Sequence, residues 1–136
     1  MTDLELTVPA DNSQAMMVRN AIRSWSIEEH LSVATIDDAL LVASELFSNA
    51  VRASVGSRID VAIRASEDTI VIETANAGPG FDPAALPAPD PDRPGGRGIA
   101  ISQALGALVV EQTGSTTVVR VALPKIISEI ARDTRS

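Results

Sequence analysis

The sequence contains no cysteine and very few aromatic side chains. Phe, Trp and Tyr together make up 2% of its 136 residues. The absence of cysteine excludes disulfide bonds, thiolate catalysis and cysteine-based zinc sites. Because aromatic residues are scarce, the core has to be built from Val, Ile, Leu and Ala, and the hydrophobic fraction of 45% is enough for one such core.

Positive charge is also scarce, since 11 Lys and Arg residues stand against 18 Asp and Glu residues, for a net charge of −7. Nucleic-acid-binding domains neutralise phosphates with clustered Lys and Arg, so no nucleic-acid partner is expected. A nucleotide remains compatible with this charge because Mg2+ can neutralise a triphosphate locally. No apolar run approaches the roughly 20 residues of a membrane span, and the polar N-terminus does not resemble a signal peptide. We expect a cytoplasmic protein without membrane contact.

The first half of the chain predicts a strand and two helices. Alternating apolar residues over 4–8 indicate a strand that Pro9 ends. Residues 11–13 offer N-caps for a helix that runs to about Ser26. The lone His30 is interpreted as a surface or helix-end histidine.

A longer helix is predicted over 35–54. Thr35 begins this segment, and Asp38 three residues later resembles a capping box with Asp in place of Glu. Gly56 follows the helix as a stop signal.

The rest of the chain predicts two hairpins, and these decide the fold class. Strands are expected at 59–63 and 70–72, and at 109–112 and 116–123, with turns at 66–68 and 113–115. Further helices are predicted at 99–108 and, more weakly, at 125–133. Hairpin-joined strands imply a mostly antiparallel mixed sheet, and helices on one face of it give a two-layer α/β (α+β) sandwich. Neither a repeat nor a boundary divides the chain, so we expect one domain over 1–136.

Residues 77–98 interrupt this pattern. They hold six of the eight prolines and five of the eight glycines. Neither a helix nor a strand is expected where proline and glycine are so frequent. A loop of this length in a compact domain is usually a lid, a binding loop or disordered.

The long helix carries two faces. Its apolar stripe, which should pack on the sheet, contains Ile36, Leu40, Ala43, Phe47, Ala50 and Val51. Glu45, Asn49 and Arg52 are spaced i, i+4, i+7 and fall together on roughly the opposite side. A solvated polar face is the ordinary explanation of such a group. However, Asn offers an oxygen ligand to Mg2+, and Glu can accept a proton or order a water.

Two glycine-rich segments could bring the backbone close to a ligand. Asn76–Asp82 follows a strand, and a tight turn explains its glycines equally well. Gly95–Ile99 stands before a predicted helix, where free N–H groups suit an anion, although a flexible loop-to-helix junction is an equal explanation. The P-loop pattern and the dinucleotide fingerprint are both absent.

Together, these segments resemble the ordered motifs of the Bergerat-type (GHKL) ATP-binding fold. Glu45–Arg52 is similar to the N-box, Asn76–Asp82 to the D-x-G-x-G-F box, Gly95–Ile101 to the G-x-G-[LI] box, and Ser115–Val118 to the final G-T-T-V box. In chain size and in the sequence motif E-L-x-x-N-A-V-R, the chain most resembles the bacterial anti-sigma factor serine/threonine kinases. That family binds a sigma factor and phosphorylates a serine of an anti-anti-sigma (STAS-type) partner, often as a homodimer.

The resemblance implies cofactors, ATP and Mg2+, and a role for each matching residue. Asn49 would coordinate Mg2+, and Glu45 would be the general base for the attacking serine hydroxyl. Gly78 and Gly80 would shape the adenine pocket, and Thr117 would lie behind the adenine. The phosphates would be bound by Gly96, Arg97, Gly98 and Ile99. Arg52 is also implied as a nucleotide-binding residue.

One position departs from the family pattern. The residue that reads adenine is Asp in the family and Asn76 here. Asn can accept from the 6-amino group through its carbonyl oxygen, but it loses the charge-assisted part of that bond, about 1 kcal/mol. It could also pair with a 6-keto base through its NH2. We therefore predict weakened or altered nucleotide binding, and a non-catalytic anti-sigma or adaptor module stays open as the alternative to a kinase.

Overall fold

The computed structural model describes residues 3–54, 56, 58–77 and 108–128. In chain order, the elements are β1 (Leu4–Pro9), a 3-10 turn (Asn12–Gln14), α1 (Ala15–Glu28), α2 (Val33–Ala53), β2 (Arg58–Ala65), β3 (Thr69–Ala77), β4 (Leu108–Thr113) and β5 (Thr116–Pro124). Of the predicted loop at 77–98, only Ala77 is described, and it belongs to β3. Of the predicted helix at 99–108, only Leu108 is described, and it begins β4 rather than ending a helix.

The five described strands form one sheet in the order β1-β2-β3-β5-β4, and all its neighbouring pairs are antiparallel. Both predicted hairpins are present, β2–β3 and β4–β5. The second turns at Gly114, whose φ of 61° suits a residue without a Cβ. The predicted antiparallel sheet is therefore confirmed.

The helices cover one face of the sheet. Along β3, buried side chains alternate with half-buried ones, which places Ile70 and Ile72 on the covered side. α2 packs against β3, and α1 packs against α2. Among the described residues, the apolar core is aliphatic apart from Phe47 and Trp25, as the composition requires. The architecture is the predicted two-layer sandwich. Within the described ranges, neither helix is long and apolar enough to cross a bilayer.

Ser32, and not Thr35, caps α2. The Ser32 hydroxyl accepts from the Thr35 backbone N–H at 3.1 Å, and its backbone is extended, as an N-cap requires. Ser32 also donates to the Thr35 hydroxyl at 2.8 Å. The predicted start was two residues late because both residues are good caps, and α2 in fact begins at Val33.

His30 lies at the end of α1, as the sequence indicated. Its φ is 59°, its N–H donates to the Ile27 carbonyl, and the next N–H, of Leu31, donates to the Ser26 carbonyl. This pair of bonds is a Schellman motif, which closes α1 with a left-handed residue after the C-cap. The side chain of His30 is exposed, and the backbone of this residue is what ends α1.

Residues 126–128 form an extended segment that pairs with the α1–α2 connection. Ile127 bridges Leu31, the Ser32 N–H donates to the Ile126 carbonyl at 2.8 Å, and the Ser128 N–H donates to the His30 carbonyl at 2.7 Å. The predicted helix at 125–133 is therefore wrong where it can be compared, over 125–128, because this backbone pairing outcompetes a short helical pattern. The remainder of that range lies outside the described residues.

The sheet face turned away from the helices carries a network of ion pairs centred on Glu73. This carboxylate accepts from Arg64 at 2.9 Å and from Arg120 at 2.6 Å. Arg120 also contacts Glu111 at 3.0 Å. Burial works to raise the pKa of Glu73, but the hydrogen bonds and charges of the two arginines outweigh it and hold that pKa below its ordinary value.

Replacing Glu73 by glutamine should lower the free energy of unfolding by about 1 kcal/mol at neutral pH, a modest figure because both arginines are partly exposed. The stabilisation exists because the carboxylate is favoured in the folded state. It is therefore complete above the ordinary value of 4.5 and fades as pH falls through the lower folded-state pKa. Urea unfolding at neutral and acid pH measures both effects. Exposed Glu67→Gln is the matched control, and an equal loss at both pH values would contradict the assignment.

Candidate functional site

The polar group on α2 borders the buried side of the helix and does not oppose it. Glu45 and Asn49 are half-buried, whereas Arg52 is exposed. The buried arc is wider than the predicted stripe because it includes Val42 and Leu46 as well. α2 packs against α1 in addition to the sheet, so more of its circumference is covered than one contact face would require. The predicted opposite placement was therefore wrong.

Glu45 has a carboxylate oxygen that the protein does not satisfy within the described residues. Its Oε2 is buried and has no hydrogen-bond partner there. Burial raises the pKa of Glu45, and the positive charge of Arg52 opposes that shift. A carboxylate with a raised pKa is a stronger proton acceptor than an ordinary one. One oxygen of Glu45 is thus left unsatisfied by the described residues, which is compatible with the chemistry of a general base.

Asn49 lies one turn after Glu45, and its carboxamide oxygen contacts the guanidinium group of Arg52. Arg52 Nη2 donates to Asn49 Oδ1, and Arg52 Nη1 donates to the Ser48 hydroxyl at 3.0 Å. The oxygen that the resemblance assigns to Mg2+ thus already interacts with positive charge.

The donor set near Asn49 suits Mg2+ bound together with a nucleotide. Among the described residues, no three His, Cys, Asp or Glu side chains are grouped as a metal cage. Mg2+ commonly takes only one or two protein oxygens and completes its shell with phosphate oxygens and water. Asn49 could provide such an oxygen, with the ion otherwise held by the triphosphate.

Three polar side chains form a second cluster on the helix-covered face of the sheet. This polar patch consists of Thr74, Asn76 and Thr117, which are 1%, 4% and 2% exposed. Asn76 lies inside β3, and not after a strand as predicted, and it stands opposite Thr117 of β5. Its Nδ2 donates to the Ala77 carbonyl at 3.4 Å, a long bond. Buried polar side chains of this kind are costly unless they are hydrogen-bonded.

Thr74 is the member of the patch that the sequence reading did not identify. Its hydroxyl is buried and has no hydrogen-bond partner in the described part of the chain. The available signal was the strand period of two, since Thr74 precedes Asn76 by two residues and so shares its face.

The structure brings the predicted residues onto packed elements. Glu45 and Asn49 lie on α2, Asn76 on β3 and Thr117 on β5, and α2 packs against both strands. The other predicted residues lie outside the described ranges and stay predictions: Gly78, Gly80, Gly96, Arg97, Gly98 and Ile99.

Several solved structures share this fold. A crystal structure of the RsbU and RsbW domains of a Mycobacterium tuberculosis protein is similar with a TM-score of 0.71 and 18% identity, over 94% of this chain and 34% of that chain. This chain thus spans about a third of the mycobacterial one. The SiaB–SiaC complex from Pseudomonas aeruginosa is similar with a TM-score of 0.59 and 18% identity, over 89% of each chain. The histidine kinase domain of the Erythrobacter litoralis EL346 blue-light activated histidine kinase reaches 0.51 with 20% identity, over 87% of this chain and 62% of that one.

At these identities, the structural likeness establishes the shared fold alone. A comparison with curated proteins finds no match. A family model is more decisive, because the one described as histidine kinase-like ATPase domain matches residues 8–123. That match covers most of the sequence and includes the polar group of α2 and the polar patch. The chain therefore belongs to the family of histidine kinase-like ATPase domains.

Proposed function

We propose that this domain binds ATP with Mg2+ and transfers the γ-phosphoryl group to a serine hydroxyl of a partner protein. The observation that carries the proposal is Glu45, which is half-buried on α2, one turn before Asn49, with one carboxylate oxygen that has no partner among the described residues. Family membership supports the nucleotide, and the chemistry of Asn49 supports the metal ion.

The described residues divide the work of phosphoryl transfer. Glu45 accepts the proton of the serine hydroxyl while the serine oxygen bonds to the γ-phosphorus. At the same time the bond between the γ-phosphorus and the β–γ bridging oxygen breaks, and ADP leaves. Asn49 Oδ1 would hold Mg2+, which when bound supplies charge neutralisation at the phosphates. Such transfer depends mainly on positioning and electrostatic stabilisation, so residues fixed on a packed helix suit it.

The acceptor we propose is an anti-anti-sigma (STAS-type) protein, and the regulated target is a sigma factor. Supporting this are the E-L-x-x-N-A-V-R wording of α2 and the likeness to a structure that contains an RsbW domain. SiaB, of the same fold, was solved in a complex with SiaC, which shows that this fold can be bound by a second protein. Homodimerisation belongs to the same proposal.

A non-catalytic binding module is the second candidate. Asn76 favours it, because a neutral amide binds adenine more weakly than the carboxylate of the resembled family. Such a module would bind its partner without any dependence on nucleotide.

Transfer of labelled phosphate tests the first candidate. The domain is incubated with γ-labelled ATP, Mg2+ and a STAS-type protein from the same organism, and we expect label on a serine of that protein. EDTA should abolish the transfer because Mg2+ is required. Partner binding that is independent of nucleotide and without transfer would instead support the binding module.

A further inference from the structure

The polar patch is electrically neutral. Its members are two hydroxyls and one carboxamide, and no charged side chain is buried among the described residues. Each group can both donate and accept a hydrogen bond. A buried patch of this kind imposes neither donors nor acceptors on a ligand, which distinguishes it from a patch built around a carboxylate.

We propose that the polar patch accepts purine bases with either an amino or an oxo group at position 6, so that this domain binds 6-oxopurine nucleoside triphosphates as well as ATP. The proposal rests on the proposed function, because it assumes that the patch holds the base of a nucleotide. It names the class of nucleotide that the site takes.

Asn76 is the residue that carries this tolerance. Its carbonyl oxygen can accept from a 6-amino group, and after a half-turn of the amide its NH2 can donate to a 6-oxo group. Its bond to the Ala77 carbonyl is long, at 3.4 Å, so that bond holds the amide in one orientation only weakly. An aspartate at this position could only accept, and it would repel a 6-oxo group.

The hydroxyl of Thr74 can adapt as well. Thr74 Oγ1 has no partner within the described residues, so its hydrogen is free to turn toward or away from a ligand. Thr117 stands directly opposite Asn76 across the β3–β5 pair. Asn76 and Thr74 can therefore present a donor or an acceptor to either base edge by rotating the amide and the hydroxyl, with no backbone change.

The test compares ATP with ITP by calorimetry on the full chain with excess Mg2+. ITP differs from ATP at position 6 and the adjacent N1, and it lacks the 2-amino group of GTP, so size at position 2 does not interfere. We expect the two dissociation constants to agree within about tenfold, the effect of one neutral hydrogen bond or less. Asn76→Asp should move the ratio toward ATP by at least about tenfold, through a stronger bond to the amino group and repulsion of the oxo group.

Two results would overturn the inference while leaving the proposed function intact. They are an ATP preference above about tenfold in the unaltered chain, and an unchanged ratio in a folded Asn76→Asp variant. If that variant does not fold by circular dichroism, Asn76→Ala replaces it, and the inference then requires both nucleotides to weaken together. Absence of binding by any nucleotide overturns the proposed function as well.

Discussion

Glu45→Gln is expected to lower the rate of phosphotransfer by about 10²–10⁴-fold, the usual contribution of a positioned general base. The amide keeps the shape of the side chain but cannot take the proton of the serine hydroxyl. Because the carboxylate does not hold the nucleotide in the proposed site, ATP affinity should change little. Single-turnover transfer and calorimetry measure the two quantities separately.

The matched control is Asp37→Asn, which also replaces a carboxylate by its amide but does so at an exposed position of the same helix. It should leave the rate of phosphotransfer unchanged. The pH profile gives an independent readout. Burial raises the pKa of Glu45 above 4.5, and the base works only when deprotonated, so the rate should fall as pH decreases through that raised value. Glu45→Gln should lack this acid limb, and retention of the limb would remove Glu45 as the base.

Asn49→Ala is expected to reduce Mg2+-dependent transfer by at least about 100-fold, since even partners outside the first shell of a metal are worth 10–100-fold. The variant removes the oxygen that we assign to the ion. It also removes the hydrogen bond from Arg52 to that oxygen and leaves the bond from Arg52 to the Ser48 hydroxyl in place. Titration of Mg2+ at fixed ATP should show that the requirement for the ion has shifted to higher concentration.

Asn49→Asp separates a metal role from a structural one. It retains an oxygen ligand at the same place, so it should recover Mg2+ dependence near that of the unaltered chain, whereas alanine should not. Identical Mg2+ titrations for the alanine variant and the unaltered chain would contradict the assignment. Circular dichroism checks that half-buried position 49 tolerates both changes.

The sheet was predictable because its strands are buried on one face, and burial on one face produces alternation. β3 shows this clearly, with Ile70 and Ile72 on the covered side. Helix ends were less predictable. Ser32 and Thr35 are both good N-caps, and only the three-dimensional hydrogen bond decides between them. Ile127 shows the limit most directly, because its partner Leu31 is remote in sequence.

The candidate site was predictable in its residue types and less so in its environment. The spacing along α2 places Glu45 beside Asn49. The burial that raises the pKa of Glu45 depends on how α2 packs against its neighbours, and helical periodicity alone does not predict that packing. Thr74 was missed because threonine is an ordinary strand residue. Its lack of a hydrogen-bond partner among the described residues is visible only once the strands are paired.

The sheet order also determines when the polar patch can exist during synthesis. β5, which carries Thr117, inserts between β3 and β4 although it is the last of the described strands in sequence. The Leu31–Ile127 bridge likewise joins segments made early and late. A nascent chain that ends before β5 leaves one edge of β3 unpaired and the polar patch without Thr117, and such long-range pairing is slow to form. At the nucleotide site that we propose, binding should therefore begin only when translation has passed β5, so the ligand would stabilise the finished fold and would not guide its early steps.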